Sequence, residues 1–486
     1  MGYVWEIIMK NPNIIFFLID GLRADQIYGE NKTSVTPNID SLRKKGLYFT
    51  NAFSSVDGTI LSLKTIFHSN FPIKTGSRTK LTLEKNNLFD VLKENGYKIN
   101  GLVPDLKGFS EYTNKFENKE KTYPYWEYME KMEEFYRNTS ASITDVMINF
   151  LEKKEEKPWF YYFHLMTLHP LKEYFASYKN EKNLLSQAIK NFNDKEYGNG
   201  LYERTLSFID NEIGKILKNV DLDNTIVILT ADHGQTIPYD EHSEIDFQPK
   251  LDNAVSVGKK ILPKSAHKFG GQFLYNIRKS VGKRRLEKSN KELSNYEKRS
   301  RDPYFTLSLF DELLHIPLLF VGNSISPGII KKQSRHVDIL PTLLNLINIK
   351  NHEKIDGQDL ISKIDKKSIQ YLHTMPYQKQ SNSDMIGIRT DKYKYFRFAR
   401  NPDENVHLYD LENDPFENTN IAKGNEKLIS EFETKISEIE KNEVSNDDEL
   451  SEEEIEYELK KMGYVWEIIM KNPNIIFFLI DGLRAD

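Results

Sequence analysis

The sequence predicts an α/β fold, and the main reason is a pair of apolar runs that each end in an acid. The runs are residues 13–20 (NIIFFLID) and 225–232 (TIVILTAD). Both are continuous and rich in β-branched and aromatic residues, which is typical of strands buried on both faces of a sheet. Because ligands of open α/β sheets bind where such strands end, we expect Asp20, Asp232 and His233 to meet at one sheet edge.

A helix is predicted to begin after Gly58, which breaks a strand-like stretch. From Thr59 onward apolar residues recur at helical spacing, at Ile60, Leu63, Ile66 and Phe67. Thr59 would lie at the helix N-terminus, where unpaired N–H groups and the helix dipole favour an oxyanion or a bound phosphate. Threonine is also a common helix N-cap, so this position by itself has an equally simple structural interpretation.

The residue types at these positions suit one divalent cation. Asp20, Asp232 and His233 supply carboxylate oxygen and imidazole nitrogen, and they leave room for Thr59 and a substrate oxygen. A threonine hydroxyl is a poor nucleophile, but a metal beside a helix N-terminus lowers the cost of forming its alkoxide. We therefore predict that Thr59 is both nucleophile and ligand. Mn²⁺, Mg²⁺, Ca²⁺ and Zn²⁺ all accept such ligands.

Other polar residues close to these runs are weaker candidates. His169, just past the apolar run 159–165, is predicted to protonate a leaving oxygen or hold a nonbridging one. His164, inside that run, is interpreted as a core histidine and ranks well below His169. Arg23 and His242 are candidate substrate ligands. Arg23 could equally cap a turn, and His242 could equally be a solvated loop residue.

Nine strings occur in a characteristic order: IIFFLIDGLRAD, TPNIDSLRKKGLYFTNAFS, YYFHLMTLHP, YERTLSFIDNEIGKIL, ILTADHGQ, FDELLHIPLLFVG, HVDILPTLLNLI, IGIRTDKYKYFRF and LYDLENDPFENTNIA. Over roughly residues 13–464 this order resembles the sulfatase branch of the alkaline phosphatase superfamily. The resemblance implies a central mixed β-sheet flanked by helices, and a smaller C-terminal α+β subdomain with a short antiparallel sheet. Similarity to single-metal threonine members favours Mn²⁺.

Departures from the sulfatase pattern bear on the chemistry. Sulfatases carry a Cys or Ser that matures to formylglycine, followed by a Pro and an Arg, whereas this chain has no Cys and places Thr59, Leu61 and Leu63 there. Gly21 replaces a second metal-binding Asp. Threonine cannot become formylglycine, so the chain is more similar to threonine-nucleophile relatives that act through a phosphothreonine-type intermediate.

A second metal ion is not expected from the sequence. Two-metal relatives need additional Asp and His ligands, and the predicted helix 201–217 offers only Asp210. The residue four positions later is Gly214 rather than His.

Three functions follow from the sequence. The first is a metal-dependent hydrolase or transferase of phosphate-containing esters, that is, a phosphodiesterase, phosphomonoesterase or phosphotransferase with a Thr59 intermediate. The alternative is a sulfuric ester hydrolase that works without formylglycine. A catalytically degenerate binding protein of the same fold is the third, and Leu61 and Leu63 are its best support.

The predicted organisation is a catalytic domain over residues 9–355 and a C-terminal subdomain over 356–461. An insertion at about 243–302 is strongly basic, since residues 249–301 hold 15 Lys or Arg against 4 Asp or Glu, with a possible helix near 286–296. As a lid at the mouth of the site, including Lys283, Arg284 and Arg285, it would attract an anionic ester such as a phosphorylated glycan or a lipid headgroup. A solvated loop is an equally weighted interpretation.

The whole chain gives few further signals. Its net charge of -5 argues against a general nucleic-acid binder. The N-terminal apolar run is far shorter than the ~20 residues that span a bilayer, so no membrane span is expected and the cytoplasm is the default location. Residues 462–486 repeat residues 1–25 letter for letter. We expect this copy to lie outside the core, where its apolar strand could pair at an edge and promote self-association.

Overall fold

The computed structural model describes most of the chain between residues 11 and 441. The described residues are 11–75, 83, 86–123, 143–153, 155, 158–169, 189–192, 194–237, 280–281, 284–302, 308–350, 354–362, 368–374 and 383–441. The predictions for His242, for Lys283 and most of the basic insertion, and for the copy at 462–486 lie outside these residues. None of the described helices is long and apolar enough to cross a bilayer.

The strands are β1 (Asn13–Ile19), β2 (Leu47–Phe53), β3 (Lys98–Pro104), β4 (Thr122–Tyr123), β5 (Trp159–Leu165), β6 (Thr225–Thr230), β7 (His315–Val321), β8 (Gly328–Ile330), β9 (Ser334–Arg335), β10 (Gln370–His373), β11 (Met385–Arg389), β12 (Tyr393–Phe398) and β13 (His407–Asp410). The helices with both ends among the described residues are α1 (Pro37–Lys45), α2 (Thr59–His68), α3 (Leu88–Glu94), α4 (Ser110–Lys115), α5 (Leu201–Leu217), α6 (Asn295–Arg301), α7 (Asp311–Leu314), α8 (Ile339–Leu346) and α9 (Glu426–Glu440). Short 3₁₀ turns include Ala24–Gln26 and His336–Asp338.

The large sheet is mixed, as the resemblance implies. Its order is β4-β3-β5-β1-β6-β7-β2-β8, with β9 also paired to β2. Strand β7 runs antiparallel to both β6 and β2, while the other pairs are parallel. Since β1 lies between β5 and β6 and runs in the same direction, the carboxyl ends of these three strands share one edge. The prediction of a central mixed sheet flanked by helices is confirmed.

The core between sheet and helices is dense with aromatic rings. Every residue of α2 is buried, and Phe67 from this helix packs within 4.8–6.1 Å of Phe16, Phe89 and Tyr162, measured between ring centroids. Burial of such rings contributes much of the stability of a core and holds α2 against the sheet. Helix α2 therefore has little freedom to move its first residue, Thr59.

The smaller unit is an antiparallel sheet in the order β10-β11-β12-β13, covered by α9 through Phe432 and Ile436. The predicted C-terminal subdomain with a short antiparallel sheet is thus confirmed, while its boundaries stay predictions. Strand β10 reaches the catalytic side, because His373 bridges to Val56 and Gln370 Nε2 donates to Ser55 Oγ at 2.5 Å. The small sheet thereby supports the segment that leads into Thr59.

The described end of the basic insertion is folded onto the catalytic domain. The single helix predicted near 286–296 is instead interrupted, because Ser294 caps a new helix, α6, by accepting from the Glu297 N–H at 3.2 Å. Its residue Ser300 accepts a hydrogen bond from Arg23 Nη1 at 2.6 Å, and Arg299 Nε donates to Glu312 Oε1 at 2.8 Å. This part of the insertion is a docked helix rather than a solvated loop.

Candidate active site and metal centre

Asp20 and Asp232 directly follow β1 and β6, the two neighbouring parallel strands. Their side chains and that of His233 offer ligand atoms that all lie within 4.8 Å of one another. The backbone fixes this arrangement, because the N–H groups of Gly21 and His233 donate to Asp232 Oδ1 at 3.3 and 2.9 Å. All three side chains are almost completely buried. The strand ends that the sequence predicts to meet are therefore brought together.

The two carboxylates at this point are not electrically balanced by the protein. Among the described residues, Asp20 Oδ1 and Asp232 Oδ2 have no hydrogen-bond partner. Burial and the charge of Asp232 raise the pKa of Asp20 well above its usual range. Burial also acts to raise the pKa of Asp232, but the adjacent His233 keeps that pKa below its usual range. Buried carboxylate oxygens without partners are costly unless they are paired or coordinate a metal, so the donor set fits a cation.

The orientation of the His233 ring also suits coordination. Its Nδ1 lies 2.8 Å from the Gly234 carbonyl, which can only accept, so Nδ1 carries the proton. In this tautomer Nε2, which lies 3.5 Å from Asp232 Oδ2 and 3.9 Å from Asp20 Oδ1, has a lone pair that a cation beside these oxygens would accept. Metal-binding histidines are commonly fixed in this way, by donating the other ring N–H to a carbonyl.

Thr59 is the first residue of α2, and it is not the helix cap. Gly58 occupies the N-cap position in an extended conformation, with φ -155° and ψ 159°. The hydroxyl is therefore directed to the site: Thr59 Oγ1 donates to Asp20 Oδ2 at 3.1 Å and lies 3.4 Å from His233 Nε2. The capping interpretation of this threonine is wrong for this chain, and the side chain is placed where a ligand or a nucleophile would be needed. Both of those roles stay predictions.

Two serines hold the turn before Thr59. Ser54 Oγ donates to the Val56 carbonyl at 2.6 Å and lies 3.0 Å from Ser62 Oγ, which reaches the same carbonyl at 3.2 Å. In contrast, Leu61 and Leu63 are fully buried in the core. These leucines pack against other apolar side chains and contribute no polar group to the site.

His169 lies in the loop after β5, at the same end of the sheet. The residue is buried, and its backbone N–H donates to the Met166 carbonyl at 3.1 Å. The neighbouring Leu168 carbonyl accepts from Gln235 Nε2 at 3.3 Å. Gln235 follows His233 by two residues, so the two loops touch. The role of His169 in protonating a leaving oxygen stays a prediction.

His164 corrects the sequence interpretation of an ordinary core histidine. It is fully buried on β5, as expected, but its Nε2 lies 3.6 Å from Asp20 Oδ2. Its Nδ1 lies 2.7 Å from Tyr162 Oη. Burial lowers the pKa of His164 to about 4, so the ring is neutral near neutral pH. The apolar pattern of the run hid this contact, and the alternation Tyr162–His164 on one strand face was its only signal in the sequence.

Arg23 is turned toward the protein rather than toward the two carboxylates. Its Nε donates to Asp25 Oδ1 at 3.0 Å, its Nη1 to Ser300 Oγ at 2.6 Å and its Nη2 to Tyr296 Oη at 2.7 Å. Asp25 and the other neighbours raise the pKa of Arg23, against the effect of burial, so it stays charged. Through these contacts the guanidinium fixes α6 beside the site. The role of Arg23 as a substrate ligand stays a prediction.

The space that a side chain at residue 21 would need is filled by Gln235. Gly21 has a φ of +71°, a conformation that favours glycine, and a Cβ on this residue would lie 2.7 Å from Gln235 Oε1. The sequence analysis did not single out Gln235, which occupies this space.

Asp210, the other residue considered for a second metal, accepts from the N–H groups of Asn38 and Ile39 at 3.1 and 2.7 Å. It caps α1. In the described part of the chain, Asp20, Asp232 and His233 form the one cluster with metal-ligand spacing.

Comparisons with known proteins agree with the fold. The family described as Sulfatase matches residues 12–349, and the C-terminal family N-sulphoglucosamine sulphohydrolase matches residues 304–442. An ulvan-active sulfatase of Formosa agariphila is 23% identical, over 94% of this chain and 85% of its own length. Among solved structures, Ps i-CgsB in complex with k-i-k-neocarrahexaose has a TM-score of 0.60 at 16% identity, covering 93% of this chain and 98% of that one. A phosphonate monoester hydrolase of Agrobacterium radiobacter has a TM-score of 0.58 at 15% identity, covering 89% and 96%. Because the first family match spans well over half of the chain, this protein belongs to the sulfatase family.

Proposed function

We propose that the protein is a hydrolase of sulfuric esters that uses the Thr59 hydroxyl as nucleophile in place of formylglycine. The observation that carries this proposal is the position of Thr59 Oγ1, buried at a helix N-terminus and 3.1 Å from Asp20 Oδ2. The relatives named as sulfatases favour sulfate as the esterified group. This was the alternative in the sequence analysis, and the comparisons support it better than the phosphate-ester interpretation.

A divalent cation would be held by Asp20, Asp232, His233 and the Thr59 oxygen. When bound, such an ion withdraws electron density from the oxygens it contacts and offsets charge that develops on the esterified group. The four protein ligands are of the hard-oxygen and imidazole types that Mn²⁺, Mg²⁺, Ca²⁺ and Zn²⁺ accept, and Mn²⁺ remains our proposal for the ion.

The reaction proceeds in two displacements. Thr59 Oγ1 forms a bond to sulfur while the bond between sulfur and the alcohol oxygen breaks, and the hydroxyl proton has an acceptor in Asp20 Oδ2. The leaving alcohol takes a proton, for which His169 is the proposed donor. Water then cleaves the sulfated threonine, which releases hydrogen sulfate and restores the hydroxyl. A substrate hydroxyl in place of water would make the same intermediate a transfer reaction.

Phosphate esters are the second candidate substrates, and Thr59 itself is the observation that favours them. A hydroxyl nucleophile gives a phosphothreonine by the same atom balance, with no need for the formylglycine chemistry. The likeness to a phosphonate monoester hydrolase concerns the fold. Sulfate and phosphate share a tetrahedral arrangement of oxygens, so the substrate panel must separate them.

The experiment compares 4-nitrophenyl sulfate, 4-nitrophenyl phosphate and bis(4-nitrophenyl) phosphate, which share one leaving group, with each of the four ions. We expect the sulfate ester to give the highest kcat/KM, with Thr59→Ser retaining activity and Thr59→Val losing at least about 10³-fold. High-resolution mass spectrometry of the quenched protein should find the modified Thr59. Preference for a phosphate ester would select the second candidate. Equal activity of Thr59→Val would overturn the nucleophile, and no turnover of any ester would favour a degenerate binding protein.

The alcohol part of the substrate has a candidate binding place beside Arg23. A cavity of about 610 Å³ is lined by residues of the turn after β1, of α6 and of the loop after β13, including Arg23, Asn31, Tyr296, Phe416 and Asn418. Aromatic faces next to amide and guanidinium groups suit a ring with hydroxyl groups, so we propose a sulfated glycan as substrate. Phe416→Ala should raise KM for a sulfated oligosaccharide and leave KM for 4-nitrophenyl sulfate unchanged. An equal change for both substrates would contradict this assignment.

A further inference from the structure

His164 makes a chain of polar contacts that reaches the nucleophile through Asp20. Tyr162 Oη lies 2.7 Å from His164 Nδ1, His164 Nε2 lies 3.6 Å from Asp20 Oδ2, and Asp20 Oδ2 accepts from Thr59 Oγ1 at 3.1 Å. Tyr162 and His164 are two residues apart on β5 and hence on the same face of the strand. The parallel pairing of β5 with β1 then places that face beside the end of β1, where Asp20 lies.

The surroundings decide which ring nitrogen carries the proton. If Nδ1 carried it, the lone pair of Nε2 would face the Asp20 carboxylate, which is repulsive. If Nε2 carries it, the Tyr162 hydroxyl donates to Nδ1 and the Nε2–H points to Asp20, so both contacts are attractive. The ring of Phe109 packs edge-on against His164 with 5.0 Å between ring centroids, which helps to exclude water from the contact.

A histidine at this position has no evident value for packing. Its side chain is fully buried among aromatic rings, and Nε2 has no hydrogen-bond partner within the described residues at the usual distance limit. A buried nitrogen without a hydrogen bond lowers the stability of the fold, and an apolar ring in its place would not. The histidine must therefore contribute in another state of the site, in which its contact with Asp20 is shorter. Polar contacts in ligand-free sites are commonly long and shorten when the ligand binds.

We propose that His164 is a positioning residue that orients the Asp20 carboxylate for a divalent cation, with Tyr162 fixing the His164 ring. The Nε2–H group shortens its contact to Oδ2, which holds Oδ2 beside Thr59 and turns Oδ1 toward the cation. His164 touches neither Thr59 nor the substrate, so it is not a catalytic residue. This inference rests on the cation site of the proposed function.

The experiment measures the affinity of the metal-free, full-length protein for Mn²⁺, Mg²⁺, Ca²⁺ and Zn²⁺ by isothermal titration calorimetry, without substrate. The variants are His164→Phe, His164→Gln and Tyr162→Phe, and His407→Phe serves as the control for replacing a half-buried histidine far along the chain. For the ion that the wild type binds most tightly, we expect His164→Phe to weaken binding about 10–100-fold. Tyr162→Phe should weaken it less, His164→Gln should recover part of the loss through its amide N–H, and the control should bind like the wild type.

The outcomes separate this inference from the proposed function. If the wild type binds an ion and His164→Phe and Tyr162→Phe bind it equally well, the positioning role is wrong while the cation site stands. If the wild type binds none of the four ions, the cation site and the positioning role both fail. Should His164→Phe not fold, Tyr162→Phe removes a single hydroxyl and decides the question by the direction of its change in affinity.

Discussion

Two buried groups of carboxylates in this protein differ in what faces them. At the ends of β1 and β6, Asp20 and Asp232 face each other and His233, with no Lys or Arg ion pair among the described residues. At the junction with the small sheet, Lys394 Nζ lies 2.6 Å from Asp311 Oδ1 and 2.7 Å from Glu417 Oε1. One group is left for an external cation to balance, and the other is balanced from within.

The pKa values of Asp20 and Asp311 follow this division, but those of their neighbours do not: the pKa of Asp232 lies below its usual range, and burial raises the pKa of Glu417 to about 7. Burial and a neighbouring carboxylate raise the pKa of Asp20. At the junction, burial also acts to raise the pKa of Asp311, but the charges of Arg389 and Lys394 hold that pKa well below its usual range. Burial alone therefore does not set the pKa of an acid in this fold, because the fixed cations beside Asp311 reverse its effect on that residue.

Removing the ammonium group of Lys394 should have the largest effect on the stability of the fold. Lys394 is completely buried, so Lys394→Met leaves Asp311 and Glu417 without one of their cationic partners. We expect the free energy of unfolding to fall by about 3–5 kcal/mol, measured by urea denaturation. The matched control is Lys392→Met, whose exposed pair with Glu412 should contribute far less to stability. Similar losses in both variants would contradict the contrast.

Binding of a divalent cation at Asp20, Asp232 and His233 should have the next largest effect on the stability of the fold. An ion that binds only the folded protein stabilises it by about 2.7 kcal/mol at a concentration 100 times its Kd. We expect Tm to rise with added Mn²⁺ and to return to its starting value on chelation with EDTA. Asp232→Asn should show little of this shift. A full shift in that variant would place the ion elsewhere.

Neutralising one acid in the metal-free protein should change stability in opposite directions at the two groups. Asp20→Asn removes a charge that burial and Asp232 disfavour, so the free energy of unfolding should rise. Asp311→Asn breaks internal pairs and should lower it. Both are measured by urea denaturation in the presence of EDTA, and a loss of stability in both variants would mean that the two groups are alike.

The smallest effect expected is a pH dependence at the junction. Burial lowers the pKa of His407 to about 4, helped by the charges of Arg299 and Lys394. Between about pH 4 and 6.5 the unfolded chain then binds more protons than the folded protein, so this residue contributes stability above pH 6.5 that is lost as the pH falls toward 4. His407→Phe keeps a ring to stack on Phe396 and should reduce the stability difference between pH 5 and pH 7. An unchanged difference would show that His407 does not titrate in this way.

The sequence by itself determined the α/β class and brought Asp20, Asp232 and His233 to one place. Continuous β-branched and aromatic runs specify buried parallel strands, and parallel neighbours end at the same edge. Thr59 was within reach of the same reasoning, because Gly58 and the spacing of Ile60 and Leu63 locate the start of a helix. That its hydroxyl faces Asp20, and does not cap the helix, was decided by the packing of α2 on the sheet.

The tertiary structure alone decided the roles of His164, Arg23 and Gln235. In the sequence, His164 looks like one more buried residue. Its contact with Asp20 exists because β5 pairs with β1, and no local sequence pattern specifies that pairing. Arg23 meets Ser300 and Tyr296 across more than 270 residues of chain, and Gln235 fills the space left by Gly21. Periodicity in a sequence reports which side of an element is buried, but the partner that a buried polar atom meets depends on which elements become neighbours in the fold.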